Sequence, residues 1–304
     1  MSDHPATKFG HLFGKHLGSG RYSWDAHRTM LYAVGVGAGL ADPYEELQFT
    51  TENTLGVEQQ VIPSFIALMS PGGDWIRELG FKAREWDGME WGYPEGLVHG
   101  EQGFTLARPI PVSGTVQMTQ SLLGVYDKGS GAVAIAETRA TLVESGADTG
   151  ELLGTSRAGM FVRGQGGFGG PRSPEGEQPW PKPTRAPDLT VSIEIPIGQS
   201  LIYRLLGDVN PHATDPARAH GDGFNRPIFF GLGTFGFACR ALLKGLCDGD
   251  VTRFGGMDAR FSQPVHPGER LDTQIWNNDG GAQFLTTAGE GRVVIDRGLF
   301  RFAG

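Results

Sequence analysis

From Tyr203 to Leu246 the chain reads YRLLGDVNPHATDPARAHGDGFNRPIFFGLGTFGFACRALLKGL. Leu232, Phe235, Gly236, Cys239, Leu242, Leu243 and Leu246 recur at i, i+3, i+4 and i+7. That spacing predicts a helix with one apolar face, which needs other elements to bury it. A glycine-rich turn, Gly231-Leu232-Gly233, opens the helix. The first-turn N–H groups of a helix have no partner within it. With the helix dipole, they suit an oxygen that gains negative charge. Ahead of the helix, an apolar lead-in ends at Gly207-Asp208, and a tight polar loop carries Asp208, Asn210, His212 and Asp215. Acid/base side chains beside such a helix start are the parts for chemistry next to a carbonyl.

Each residue also has a plainer reading. Asp208 sits in an Asp-x-Asn-Pro pattern that caps or turns a chain. His212 lies four positions on, around Pro211. The two side chains can converge on one water, or His212 can face solvent on the loop. Asn210 and Asp215 are expected to brace the loop or cap the next helix. Glu52 is a carboxylate in an otherwise uncharged stretch, 49–57, and reads as an exposed strand charge. Two formal GxGxxG patterns occur. Gly164, Gly166 and Gly169 run into Pro171, Pro174 and Pro179 rather than a helix. Gly231, Gly233 and Gly236 open a helix, but no strand–helix–strand alternation surrounds them. Neither predicts a dinucleotide site. His99, Glu101, His220 and His266 lack metal-ligand spacing, so no metal is expected.

The 304 residues are 39% hydrophobic and 20% charged, enough to build a sizeable core. A formal charge of −8 disfavours nucleic acid and anionic membrane surfaces as partners. No apolar run of about 18 residues exists to span a membrane. Cys239 and Cys247 form neither a CxxC nor a disulfide framework, which predicts a reducing, cytoplasmic setting.

Along the chain, residues 1–24 read as a loose lead-in, with His4, His11 and His16 in an unstructured tail. Asp25 is the expected N-cap of a helix to Leu40. Leu47–Glu52 reads as a short strand. Ile62–Leu79 reads as a helical run broken at Pro71-Gly72-Gly73. Leu97–Gln102 reads as a turn before a strand. Strands are expected at Thr115–Tyr126, Ala132–Val143 and Leu152–Val162, with a hairpin turn at Asp127–Gly131. The segment 164–187 is a Gly- and Pro-rich connection. After the 232–246 helix, strands are expected near Asp258–Ser262, Arg270–Trp276, Ala282–Ala288 and Arg292–Phe302. Arg108–Gly114 and Gln263–Gly268 are similar approaches to a strand, one in each half. The plan is an α+β chain in two copies, 1–163 and 188–304, each a sheet wrapped on a helix.

The motifs YAVGVGAG (32–39), LVHGEQ (97–102), DKGSG (127–131), RGQGGFGG (163–170), YRLLGDVNP (203–211), RPIFFGLGTFGFACRAL (226–242) and ARFSQPVHPGERL (259–271) follow one another as in a known family. The chain resembles hydratase 2, the (R)-specific 2-enoyl-CoA hydratases of the MaoC-like group. The likeness extends to the hydratase unit of peroxisomal multifunctional enzyme type 2. It implies a double hot-dog fold, usually as a homodimer, with the N-terminal copy forming a pocket for the acyl tail. It implies reversible syn addition of water to a trans-2-enoyl-CoA, with coenzyme A as substrate carrier and no cofactor. It places the catalytic aspartate at Asp208, the oxyanion-hole N–H at Gly231, and a glutamate important for activity at Glu52. Arg240, Lys244, Arg253 and Arg260 are basic side chains open to CoA phosphates.

Two positions depart from the family pattern. Asp-x-Asn-Pro-Leu-His-x-Asp-Pro becomes Asp208-Val209-Asn210-Pro211-His212-Ala213-Thr214-Asp215-Pro216, which leaves Ala213 where the family has its catalytic histidine. Phe230 stands where the family has histidine before Gly-Leu. Three outcomes stay open. His212 serves beside Asp208 in a standard hydratase, or Asp208 works as lone base in a divergent dehydratase on another substrate. Alternatively, the chain is a non-catalytic acyl-CoA-binding subunit.

Overall fold

A computed structural model describes residues 8–72, 75–79, 96–177 and 180–304. His4, Gly73 and Pro179 lie outside them. The strands are β1 His16–Trp24, β2 Leu97–Leu106, β3 Gly114–Asp127, β4 Gly131–Glu144, β5 Ala147–Arg163, β6 Leu189–Glu194, β7 Phe254–Phe261, β8 Arg270–Asn278, β9 Gly281–Ala288 and β10 Arg292–Phe302. The helices are α1 Ala26–Gly35, α2 Leu47–Thr50, α3 Trp75–Glu78, α4 Gln199–Tyr203, α5 Pro216–Gly221 and α6 Gly231–Cys247. Among the described residues no helix is long and apolar enough to cross a membrane.

All ten strands join one antiparallel sheet in the order β1-β3-β4-β5-β2-β7-β10-β9-β8-β6. Read inward from its two edges, the sheet repeats itself: 1-3-4-5-2 from one side, 6-8-9-10-7 from the other. In each half an edge strand leads to the main helix, a central strand follows, and a three-stranded meander fills the space between. This duplicated hot-dog plan is joined where β2 pairs with β7, Glu101 opposite Arg260 through Thr105 opposite Gly256. Such a seam removes two of the open edges that separate sheets would expose.

Helix α6 is buried on nearly every side, from Gly233 through Leu243, and packs on β2, β6, β7 and β8. Phe235 and Phe237 are fully buried, each contributing roughly 1.5–3 kcal/mol by leaving water. The apolar stripe expected from spacing is therefore only part of what the fold covers. Gly236 lets the segment after α1 approach closely, because a Cβ there would stand 2.3 Å from Val36 Cγ1. Helix α1 begins where Asp25 Oδ1 accepts the Arg28 N–H at 2.8 Å and buries Thr29, Tyr32 and Ala33.

Four expectations about local structure need correction. Residues 16–24 form edge strand β1, not loose chain, paired to β3 from His16–Ser121 to Trp24–Gly114. Its glycines and serines read as loop because neighbouring strand backbone, not its own side chains, holds it. Leu47–Thr50 is a helical turn, not a strand; Glu46 precedes it in a left-handed conformation (φ 58°), with its carboxylate held by Arg240. Glu52 consequently lies in the loop after α2 rather than on a strand. Leu97–Gln102 is the first part of β2 itself, hemmed between β5 and β7. A register shift between His99 and Glu101 explains why it resembled a turn.

Candidate active site

The polar loop is built from its backbone upward. Helix α4 passes into a 3-10 turn, Arg204–Leu206, closed by Gly207 at φ +104°. That conformation favours glycine and turns the chain sharply into Asp208. Arg28 steadies the turn by donating to the Leu205 carbonyl at 3.2 Å and to the Leu206 carbonyl. Asp208 Oδ1 then accepts the Asn210 N–H at 3.2 Å. Asn210 Oδ1 accepts the His212 N–H at 3.4 Å and starts the 3-10 turn Pro211–Ala213. Asp215 caps α5 by accepting the N–H groups of Ala217 at 2.9 Å and Arg218 at 3.3 Å. Three short polar side chains thus fix the backbone with local hydrogen bonds.

The loop is tied to the start of α6. Ile228 N–H donates to the His212 carbonyl at 3.2 Å, and Phe229 N–H to the Val265 carbonyl at 2.6 Å. Phe230 is the N-cap residue and supplies no side-chain hydrogen bond, so the first-turn amides carry no cap of that kind. Gly231 is half-buried. Apart from its chain neighbours, a Cβ placed on it would meet only Phe261, at 3.8 Å, so the chain is uncrowded on that side. The Phe261 ring also meets His99, centroids 5.1 Å apart.

Burial raises the Asp208 carboxyl above the ordinary aspartate range, and the Asn210 N–H only partly offsets it. A carboxyl group that burial makes harder to ionise is a candidate for proton transfer. Tyr203, at the head of the same segment, is fully buried, and its ring lies 5.1 Å from that of Phe230.

The imidazole of His212 turns to other partners. Its Nδ1 lies 3.8 Å from Asp222 Oδ2, and its ring meets Phe224 at 6.0 Å. Burial lowers its proton affinity first; Asp222 opposes that and Arg218 adds to it. Ala213, one residue on, is in the core at 2% exposure. A one-residue offset on a tight turn moves a side chain to another face, so His212 does not occupy the space Ala213 points into. Replacing His212 with alanine is therefore expected to slow turnover by less than the ~10²-fold typical of a positioned acid/base group, measured as kcat against wild type. Glu52 is exposed, and among the described residues no hydrogen bond or ion pair joins it to Asp208. Phe230 is packed inward among Tyr203 and Phe229 rather than standing open at the helix start.

The four basic side chains are engaged within the chain: Arg240 with Glu46, Lys244 with Glu45 at 3.6 Å, Arg253 with Asp248 at 2.8 Å and Arg260 with Asp296 at 2.5 Å. Arg240 is internal, with 8% of its side chain exposed.

Comparison with known proteins agrees with this architecture. Residues 22–164 match the MFE-2 hydratase 2 N-terminal domain and residues 179–297 the MaoC like domain. The chain is 37% identical to 3-hydroxyacyl-thioester dehydratase Y of Mycobacterium tuberculosis, over 92% of this chain and 93% of that protein. It is 35% identical to peroxisomal enoyl-CoA hydratase 2 of Arabidopsis thaliana, over 87% and 85%. A crystal structure of a MaoC-like dehydratase from Phytophthora capsici superposes with a TM-score of 0.79 at 28% identity, covering 96% of each chain. The chain belongs to the MaoC-like hydratase/dehydratase family, in the group that carries a hydratase 2 N-terminal domain.

Proposed function

We propose that this protein is a hydro-lyase that adds water reversibly to trans-2-enoyl-CoA thioesters to give (3R)-3-hydroxyacyl-CoA. The observation that carries the reading is Asp208: a desolvated carboxylate on a loop hydrogen-bonded to the lead-in of an uncapped helix start. The thioester oxygen accepts from Gly231 N–H. The Asp208 carboxylate takes one proton from water as the water oxygen bonds the β-carbon. The π electrons of the double bond move onto the thioester oxygen, where the amide and the helix dipole stabilise the developing charge. The same carboxyl group returns that proton to the α-carbon on the same face, which restores the carboxylate and makes the addition syn. His212, beside Asp222, takes no proton in this scheme. Asp208 serves as acid and base in turn.

The reading includes a homodimer in the cytoplasm. Leu201 and Leu205, exposed at 61% and 63% beside the loop, support a partner surface there. Buried, unbridged Cys239 and Cys247 support a reducing setting. The test is incubation with crotonyl-CoA and longer trans-2-enoyl-CoAs. Loss of the enoyl absorbance with chromatographic identification of the (3R) product is expected. Absence of turnover with every chain length overturns the reading.

A further inference from the structure

The turn 263–269, between β7 and β8, grips two segments of the site at once. On one side it holds the chain 227–230 that leads into Gly231. Phe229 N–H donates to the Val265 carbonyl at 2.6 Å, and His266 Nδ1 lies 3.1 Å from the Pro227 carbonyl. A carbonyl oxygen only accepts, so Nδ1 carries the hydrogen in this contact. On the other side the turn holds the start of the segment that leads to Asp208. Gly268 N–H donates to the Ile195 carbonyl at 2.8 Å, and Ile195 N–H to the Glu269 carbonyl at 2.9 Å. Ile195 stands shortly before α4. The turn is also locked on itself. Glu269 Oε2 accepts the His266 N–H at 2.8 Å, and Glu269 Oε1 pairs with Arg292 at 2.6 Å. Arg292 donates in addition to the Pro264 carbonyl.

Gly231 follows Pro227 by four positions, and Phe229 and Phe230 between them are buried. Their burial keeps this piece of chain against the core, but apolar burial is non-directional. Hydrogen bonds do set a direction. The Val265 contact joins backbone to backbone, whereas the His266 contact depends on a side chain. We infer that His266 is a positioning residue for the Gly231 amide. Its imidazole holds the Pro227 carbonyl, and through that short piece of chain sets where the first N–H of α6 points. The ring touches no substrate atom and exchanges no proton, so the hydration described above stays balanced without it. This inference rests on the hydratase reading, in which the Gly231 N–H meets charge that grows on the thioester oxygen only as water adds. A misdirected amide then costs the transition state more than the bound substrate, which lowers kcat and leaves KM nearly as it was.

The experiment measures kcat and KM for crotonyl-CoA in wild type, His266→Leu and His266→Asn, with a thermal melt of each. Leucine fills similar space and has no donor. Asparagine carries an N–H as many bonds from Cα as His Nδ1, so it can still donate to the Pro227 carbonyl. The leucine variant is expected to lose at least about tenfold in kcat, and up to the ~10²-fold that a displacement on the order of 1 Å costs. Its KM stays within roughly threefold of wild type, and the asparagine variant returns kcat to within roughly threefold. If the leucine variant melts below the assay temperature, His266→Gln takes its place. The glutamine N–H sits one bond farther out, and the same loss is expected. A loss of less than about tenfold, a larger change in KM, or an asparagine variant more than about threefold slow overturns the inference. Each leaves the hydratase reading standing, since wild type still turns over. No turnover by wild type overturns both.

Discussion

Asp208→Asn is expected to lower kcat/KM for crotonyl-CoA by about 10²–10⁴ while the protein melts no lower than wild type. The two halves of that result have one cause. Burial makes the Asp208 charge costly in the folded protein, which raises its proton affinity. The folded state then holds a proton more tightly than the unfolded chain. Stability from this group is fully present below the unfolded pKa and declines as pH rises through the folded one. The asparagine amide has no charge to bury, and its oxygen can still accept the Asn210 N–H that Asp208 Oδ1 accepts now. What it cannot do is take a proton from water. Such opposition between stability and activity is expected where a site is built from costly groups. A fall in activity accompanied by early melting would instead point to a role in holding the loop.

The second large effect is on stability. Arg240→Ala is expected to cost up to about 3–5 kcal/mol, because it leaves a partly buried carboxylate without its partner. That corresponds to a melting shift on the order of 10 °C. Arg240 Nε donates to Glu46 Oε1 at 3.1 Å, Nη1 to the Val36 carbonyl at 2.9 Å, and Nη2 pairs with Glu46 Oε2. Glu46 Oε2 also accepts the Gly39 N–H at 3.3 Å. One guanidinium therefore joins the central helix to the chain that leaves α1 and to the turn that begins α2. The same substitution made together with Glu46→Gln is expected to recover part of the loss, since no partly buried charge is then stranded. Thermal melts of the two single variants and the double variant measure the coupling directly.

No local signal in the sequence marks the second effect. Glu46 and Arg240 are 194 positions apart, and Arg240 looked like any cation on a helix. Local signals were readable where the local chain decides the outcome. The Asp25 cap, the Asp127–Gly131 hairpin and the meander strands on both sides of the connection are set by turn chemistry and period. β1, β2 and the turn at Leu47 are decided by distant partners: a neighbouring strand, a sheet seam and Arg240. The duplicated plan was visible as paired approaches to a strand, though not the repeat of sheet order that expresses it. At the site, the motif order puts Asp208 and Gly231 on two segments, which the structure links through the Ile228 N–H and the His212 carbonyl. It also gave His212 a role beside Asp208, because spacing does not say where a side chain points after Pro211. The structure turns that imidazole to Asp222 and leaves Ala213 in the core.

The pH dependence of kcat/KM, measured on wild type and His212→Ala side by side, tests the claim that one carboxylate does the proton transfer. Both proteins are expected to lose activity as pH falls through a single group lying above the ordinary aspartate value of about 3.9, with superimposable profiles. A limb that vanishes or moves when the imidazole is removed would contradict the account and return the acid/base role to His212.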